Sequence, residues 1–385
     1  MKYDRYRMED VLEYIIDYRG KTPKKSDKGI LTLSAKSVRD GYIDYDQCYC
    51  ISKEEYDQFM VRGFPQIGDV LLTTEAPLGV TARLDRDDVA VAQRLLTLRG
   101  KEKILDTGYL YYYLRSPLGQ GKLKERQTGT TVVGIKQAEF RKIEIDLPDI
   151  ETQRKITSIL SSLDDKIRVN KEINENLQQQ AAALFDNFYD QAETEVGFTE
   201  IIQILGGGTP KTSESTYWNG NVPFFTPKDV GLPYTLTTEK AITAEGLAHC
   251  NSRLYPINTV FVTARGTVGK VGLPGVPMAM NQSCYALVGK DTHQLLVYFY
   301  TLKAVDRLKH KASGAVFDAI TTRDFEAENI MKLSDDDAKA FLDVAEPIYQ
   351  AVLSNSIENL RLATLRDSLL PKLMSGEIDV SDIHL

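Results

Sequence analysis

The sequence predicts an α/β protein built twice over: a globular α/β domain followed by a long coiled-coil helix, then a second domain and helix of the same kind. Two observations carry this. A heptad seam recurs at one fixed offset, and a set of loop motifs recurs in the same order around it.

The seam is read from Ile156, Leu160, Leu163, Ile167, Asn170, Asn174, Leu177, Ala181, Leu184 and Phe188. Spacings of three and four sustained this far predict a long helix packed on another helix. Adding 185 to each number gives Phe341, Ala345, Ile348, Val352, Asn355, Asn359, Leu362, Arg366, Leu369 and Leu373. Only Ala181 and Arg366 break the match. A seam Asn costs stability because an amide leaves water, and it is tolerated where Asn meets Asn and fixes register. Asn170, Asn174, Asn355 and Asn359 therefore mark the two helices as each other's partners. At roughly 1.5 Å per residue each helix is about 60 Å long.

The segments follow from this frame: a domain over 1–150, a helix over 151–190, a second domain over 191–335, a second helix over 336–376 and a polar tail over 377–385. In the first domain, Met8–Asp17 has amphipathic helical spacing, with Met8, Leu12, Ile15 and Ile16 apolar. A basic, turn-rich loop follows. Ile30–Leu33, Val70–Thr74, Val80–Leu84 and Leu95–Leu98 read as strands, with a polar stretch at Ser52–Phe59 between the first two. Asp106–Arg126 reads as one helix, Lys142–Asp146 as a closing strand, and Asp149 as the N-cap of the long helix. The second domain repeats the order. Gly207-Gly-Thr-Pro-Lys211 answers Gly20-Lys-Thr-Pro-Lys24, and Ile257–Thr263 answers Ile67–Thr73. Gly269 answers Gly79, Asn281-Gln282 answers Ala92-Gln93, and Ser313-Gly314 answers Thr128-Gly129.

Composition bounds the function. A chain of 385 residues with 42% hydrophobic content holds two or three domains with real cores. No run approaches a membrane span and the first residues lack a signal-peptide core, so a cytoplasmic protein is expected. Cys48, Cys50, Cys250 and Cys284 make neither a disulfide frame nor a zinc site, and the four His lack metal spacing. The net charge of −7 runs against nucleic-acid binding, although a basic face can coexist with acidic helices elsewhere.

Catalytic patterns are weak. Ile201–Gly208 resembles a strand entering a glycine turn, but the Gly-Lys-Ser/Thr that a phosphate loop needs four residues after its first Gly is absent. Asn221-Val-Pro-Phe224 bears a faint likeness to the Asn-Pro-Pro-Tyr of adenine methyltransferases, yet it follows the glycines too closely for a methyl-donor fold. The basic residues are more informative. Lys122, Lys124 and Arg126 precede the Thr-Gly loop, and Arg307, Lys309 and Lys311 sit at the same places in the second copy. Three cations ending a helix beside a glycine loop suit phosphate contacts, and equally suit a solvated helix end complementing its dipole. Further candidates lie in loops: Lys21, Lys24, Lys25, Lys36, Arg39, Gln93 and Arg94 in the first half. In the second half they are Lys211, Thr212, Tyr217, Trp218, Lys228, Arg265, Lys270, Asn281, Gln282 and Arg323. Arg pairs with guanine and Asn or Gln with adenine in the major groove.

Taken together, the duplicated layout, Gly207-Gly-Thr-Pro-Lys211 with Tyr217-Trp218, and Thr263-Ala-Arg-Gly-Thr-Val-Gly269 resemble the specificity subunits of type I restriction-modification systems. So do Leu147-Pro-Asp-Ile-Glu-Thr-Gln153 and Leu365-Arg-Asp-Ser-Leu-Leu-Pro-Lys-Leu-Met-Ser-Gly376, at the start and end of the helices. The sequence departs from the pattern where Leu333-Ser-Asp-Asp replaces a Leu-Pro helix entry, and where Glu75 stands in place of Arg265. The resemblance implies two similar α/β target-recognition domains joined by two long antiparallel coiled-coil helices, an internal pseudo-two-fold repeat. It implies a chain without an active site, metal or cofactor, each domain reading half of a bipartite double-stranded DNA target in the major groove, with the helices setting the gap. The implied partners are two methyltransferase (modification) subunits, which carry S-adenosylmethionine and methylate adenine, and restriction/translocase subunits. Two other readings compete: a protein-only scaffold, which fits the acidic balance and the many Tyr, and an enzyme with an unrecognised site.

Overall fold

The computed structural model describes residues 3–18, 20–129, 132–231, 233–311 and 319–381. The chain forms two compact units, one of Met1–Lys166 with Leu362–Leu385 and one of Ile167–Arg361. The Ser313-Gly314 loop lies outside the described residues.

Each unit is built on an antiparallel sheet of the same strand order. In the first it runs Leu12–Asp17, Leu95–Gly100, Val70–Thr73, Thr81–Arg83. In the second it runs Ile202–Gly206, Cys284–Gly289, Val260–Thr263, Val271–Pro274, extended by the parallel strand Tyr234–Thr235. The central strands are apolar on both faces, and Val70–Thr73 and Val260–Thr263 are buried throughout. A smaller sheet lies beside each: Val89–Val91, Ile30–Leu33, Tyr49–Ile51 and Lys25–Ser26 in the first unit, and Lys240–Ile242, Trp218–Phe225 and Ala279–Met280 in the second. A two-stranded ribbon closes each domain, pairing Asp4–Arg7 with Glu144–Leu147 and Thr194–Gly197 with Asn329–Lys332.

Three local readings change. Met8–Asp17 is a single helical turn, Met8–Val11, followed by the strand Leu12–Asp17. Ile15 and Ile16 are β-branched, and pairing with Leu95–Gly100 outweighs the helical spacing of the apolar residues. Asp106–Arg126 is two helices, Thr107–Arg115 and Pro117–Glu125. Pro117 lacks the N–H a continuous helix needs, and Ser116 Oγ accepts from Gly119 N at 3.2 Å as a new cap. The polar stretch after Ile51 contains a helix, Lys53–Phe59, capped by Ser52, which accepts from Glu55 N at 3.2 Å.

The long helices run Ile150–Gln191 and Asp335–Ser375. Asp149 Oδ1 accepts from Thr152 N at 2.9 Å, and hydrogen bonds from Thr152 hold its carboxyl below the usual range. Where the second helix lacks the Leu-Pro entry, Ser334 caps it, accepting from Asp337 N at 3.2 Å. The second helix ends at Gly376, whose φ of +76° a side chain rarely adopts. Within each unit the two helices pack antiparallel. In the second unit Asn170 Nδ2 donates to Asn359 Oδ1 at 2.9 Å and Asn355 Nδ2 donates to Asn174 Oδ1 at 2.8 Å. In the first unit Asp164 meets Arg366. Toward the domains the buried stripe shifts off the heptad seam. Phe185, Tyr189, Tyr349 and Leu370 are buried although the seam omits them, because there each helix meets a domain core as well as its partner.

Candidate nucleic-acid interface

At the C-terminal ends of the two central strands, equivalent loops converge. In the first unit Thr74 N donates to Arg94 O at 2.9 Å; in the second Ala264 N donates to Ser283 O at 2.8 Å. Glu75 and Arg265, the next residues, each form an isolated bridge, to Gly134 and to Ala319 respectively. Motifs matched separately in the sequence touch here. Gln93 Nε2 donates to Thr22 Oγ1, and the Thr209 hydroxyl bonds Gln282 Oε1, so each glycine-threonine-proline loop is latched to its glutamine loop. Gly207 is required by contact: a Cβ there would overlap the Asn281 carbonyl.

The second unit surrounds this point with a cleft of about 480 Å³, lined among others by Lys228, Glu239, Lys240, Arg265, Asn281 and Ser283. Lys228, 82% exposed, lies 3.9 Å from Glu239. Lys240 sits 5.8 Å above the ring of Trp218, whose Nε1 donates to Lys211 O at 3.1 Å. Asn281 lines the cleft; its Oδ1 accepts from Ser283 N at 3.0 Å, and its amide NH₂ makes no hydrogen bond among the described residues. Arg265 is exposed and has no ion-pair partner among the described residues. Tyr217 stacks on His249 with ring centroids 5.0 Å apart, and Thr212 and Lys270 are exposed. Three predicted residues, Lys228, Arg265 and Asn281, thus line one cleft. Lys240 joins them; nothing in its strand Lys240–Ile242 distinguishes it in the sequence.

The first unit solves the same position differently. Arg94, in a left-handed conformation with φ of 65°, is 2.8 Å from Glu75, so a guanidinium stands here too, tethered to a carboxylate. Lys21 and Lys36 are exposed; Lys24 N donates to Glu55 at 2.9 Å, Lys25 lies 4.8 Å over the Tyr49 ring, and Arg39 is 3.4 Å from Asp44.

The basic trios divide. Lys124 lines a second cleft of about 500 Å³ beside Pro77, Gln120 and Val132, and Lys309 lies against Gly269. Their neighbours are committed elsewhere: Lys122 is 3.6 Å from Glu125, and Arg126 is 3.3 Å from Glu139. Arg307 is 3.1 Å from Glu328, which is 2% exposed, and also donates to Tyr189 Oη at 3.0 Å. Lys311 pairs with the same buried carboxylate. Burying Glu328 requires these cations, and Arg307, through Tyr189, also ties the domain to its long helix. Arg323 is exposed on the short helix Thr322–Glu326. Among the described residues no group of His, Cys, Asp and Glu could hold a metal ion, and no helix is long and apolar enough to cross a membrane.

The fold and its duplicated loop site define a two-domain protein in which like sites stand at like strand ends. The pattern described as "Type I restriction modification DNA specificity domain" matches residues 2–179 and 194–332, and the chain belongs to that family. It is 22% identical over 359 residues to the type I restriction enzyme MjaIX specificity subunit of Methanocaldococcus jannaschii, covering 86% of this chain and 82% of the relative. It is 25% identical over 378 residues to the HindI specificity subunit of Haemophilus influenzae, covering 76% and 82%. Among solved structures, the type I restriction-modification S subunit from M. genitalium superposes with a TM-score of 0.63 at 14% identity, covering 97% of this chain and 96% of the other, which shows the shared fold.

Proposed function

We propose that this chain is the non-catalytic DNA-reading subunit of a type I restriction-modification complex. Each domain reads one half of a bipartite target, and the helix pair sets the gap and seats the methyltransferase subunits, which bring S-adenosylmethionine. The observation that carries this reading is the cleft lined by Lys228, Lys240, Arg265 and Asn281, where a guanidinium without an ion-pair partner among the described residues and an amide stand with two lysines. Such a set matches a base edge between two phosphates. The acidic total does not oppose it. The first long helix holds seven Asp or Glu against five Lys or Arg, and the second seven against four, so the helices account for five of the seven net negative charges.

The test is methylation mapping of DNA from cells carrying this chain with its neighbouring subunits. Two short defined blocks around a fixed gap are expected. A continuous motif would remove the spacer role of the helices, and no motif from an assembled complex would favour the protein-only scaffold.

A further inference from the structure

Lys36 and Lys228 are 192 residues apart, an offset that none of the recurring loop motifs shares. The sheets nevertheless place them at one point of the repeat. Ile30–Leu33 and Trp218–Phe225 each run parallel to the strand that leads into the glutamine loop, with Leu33 opposite Val91 and Phe225 opposite Met280. One residue further, Ala92 N donates to Leu33 O at 2.8 Å and Asn281 N donates to Phe225 O at 2.9 Å. Both strands then leave the sheet in a four-residue turn, Ser34-Ala-Lys-Ser37 and Thr226-Pro-Lys-Asp229. The backbone closes each turn, Ser37 N donating to Ser34 O and Asp229 N to Thr226 O, both at 2.9 Å. The last side chain closes it again. Ser37 Oγ accepts from Ser34 N at 3.0 Å, and Asp229 Oδ2 accepts from Thr226 N at 2.8 Å. The third residue is lysine in both turns and is exposed in both.

We propose that the two turns are one device in two copies. Each holds a single lysine against a backbone phosphate of its own half-site, with Ser37 and Asp229 as the positioning residues. The proposal rests on the DNA-reading function. An ammonium is a point charge with three rotatable donors, so it suits a phosphate met from any side better than a base edge. A closed turn fixes the lysine backbone beforehand and leaves only the side chain to order when DNA binds. In the second domain the turn is also fastened to the Arg265 loop, because Thr267 Oγ1 donates to Pro227 O at 3.1 Å. Lys228 lies 3.9 Å from Glu239, a loose pair of exposed groups that a phosphate displaces. Asp229 does not compete for the ammonium. Its Oδ2 accepts from the Thr226 N–H and hydroxyl, and its Oδ1 accepts from Glu239 N at 2.8 Å. By charge alone a carboxylate at this place repels phosphates, so its contribution to binding is the closed turn. Ser37, fully buried, closes the first turn without a charge.

The test titrates the full chain, assembled with its modification subunits, against two duplexes over a series of salt concentrations. One duplex carries the motif found by methylation mapping and the other has both blocks scrambled. Lys36→Ala and Lys228→Ala are each expected to lower the slope of log affinity against log salt by about 1 on both duplexes, and the two together by about 2. Asp229→Ala is expected to lower it by about 1 although it removes a negative charge, and Asp229→Ser, which closes the turn as Ser37 does, to restore it. An unchanged slope for either lysine variant overturns the paired device. Tighter binding by Asp229→Ala, the result that charge alone gives, or no recovery with Asp229→Ser overturns the positioning role. Both lysines are exposed, so their removal leaves the fold intact and the first comparison decides even where Asp229→Ala does not assemble. Preference for the motif with unchanged slopes refutes the turns alone, whereas an unaltered complex that binds neither duplex refutes the DNA-reading function with them.

Discussion

Arg265 and Glu75 hold the same backbone position in the two domains and carry opposite charge. In the first domain Arg94 answers Glu75 at 2.8 Å, so the carboxylate limits where its guanidinium reaches. Arg265 has no such tether among the described residues and stands in a cleft with two lysines. The two kinds of cation predict different losses. Arg265→Ala is expected to relax selection at one base position of one half-site, by about 1–3 kcal/mol, leaving the other half-site unchanged. Lys240→Ala is expected to weaken binding to all sequences alike and to lower the salt slope by about 1. Titrations of the assembled complex on a set of single-base target variants, at several salt concentrations, separate them; a uniform loss for Arg265→Ala would make it a phosphate contact. The trios carry a lesson in burial. Arg307 and Lys311 were visible as cations, but only the position of the buried Glu328 shows that both are engaged.

Among the elements, the helix pair encloses two seam amides. Asn170 is 1% exposed and Asn174 7%. Asn174→Leu alone leaves the Asn355 amide facing a methyl group, and a loss of about 1–3 kcal/mol is expected. Asn174→Leu with Asn355→Leu together is expected to recover most of that loss, since both partners then become apolar. Urea unfolding of the two single variants and the double checks this; additive losses would mean that the hydrogen bond seen at 2.8 Å contributes nothing. The same element shows how far periodicity reaches. It locates both helices and both Asn pairs, because a seam between two helices repeats every three or four residues. It omits Phe185 and Tyr349, because a helix that also packs on a domain uses a second stripe.

For the whole molecule, inserting one heptad after Asn174 and one after Asn359 is expected to lengthen the pair by about 10 Å, and the target gap by about three base pairs. Methylation mapping reads this directly, and an unchanged gap with retained methylation would rule out the helices as the spacer. A second expectation concerns alkali. Burial pushes the phenols of Tyr111, Tyr113, Tyr298 and Tyr300 up to about 12 from an ordinary value of 10.0. In the unfolded chain these groups lose their protons first, so the unfolded state binds fewer protons across this window and stability falls as pH rises through it. The urea midpoint should hold up to about pH 10 and drop steadily toward pH 12, with the phenolate absorbance of these four groups appearing only as the chain unfolds. Phenolate absorbance from the folded chain at pH 10 in proportion to all 20 Tyr would contradict the burial of this group.

What the sequence by itself determined is the repeat: two α/β domains, two long helices, the Asn register and the loops that recur with them. These are legible because period, duplication and cap residues are local or are compared at one offset. What only the tertiary structure decided is which side chains meet. It brought Lys240 beside Arg265, closed Arg94 on Glu75, and spent Arg307 and Lys311 on Glu328. It also turned the single mismatch in the seam, Ala181 against Arg366, into a salt bridge with Asp164 on one side and an apolar core on the other. Charge, burial and partner depend on residues far apart in the chain, and no spacing rule along one strand or helix carries that information.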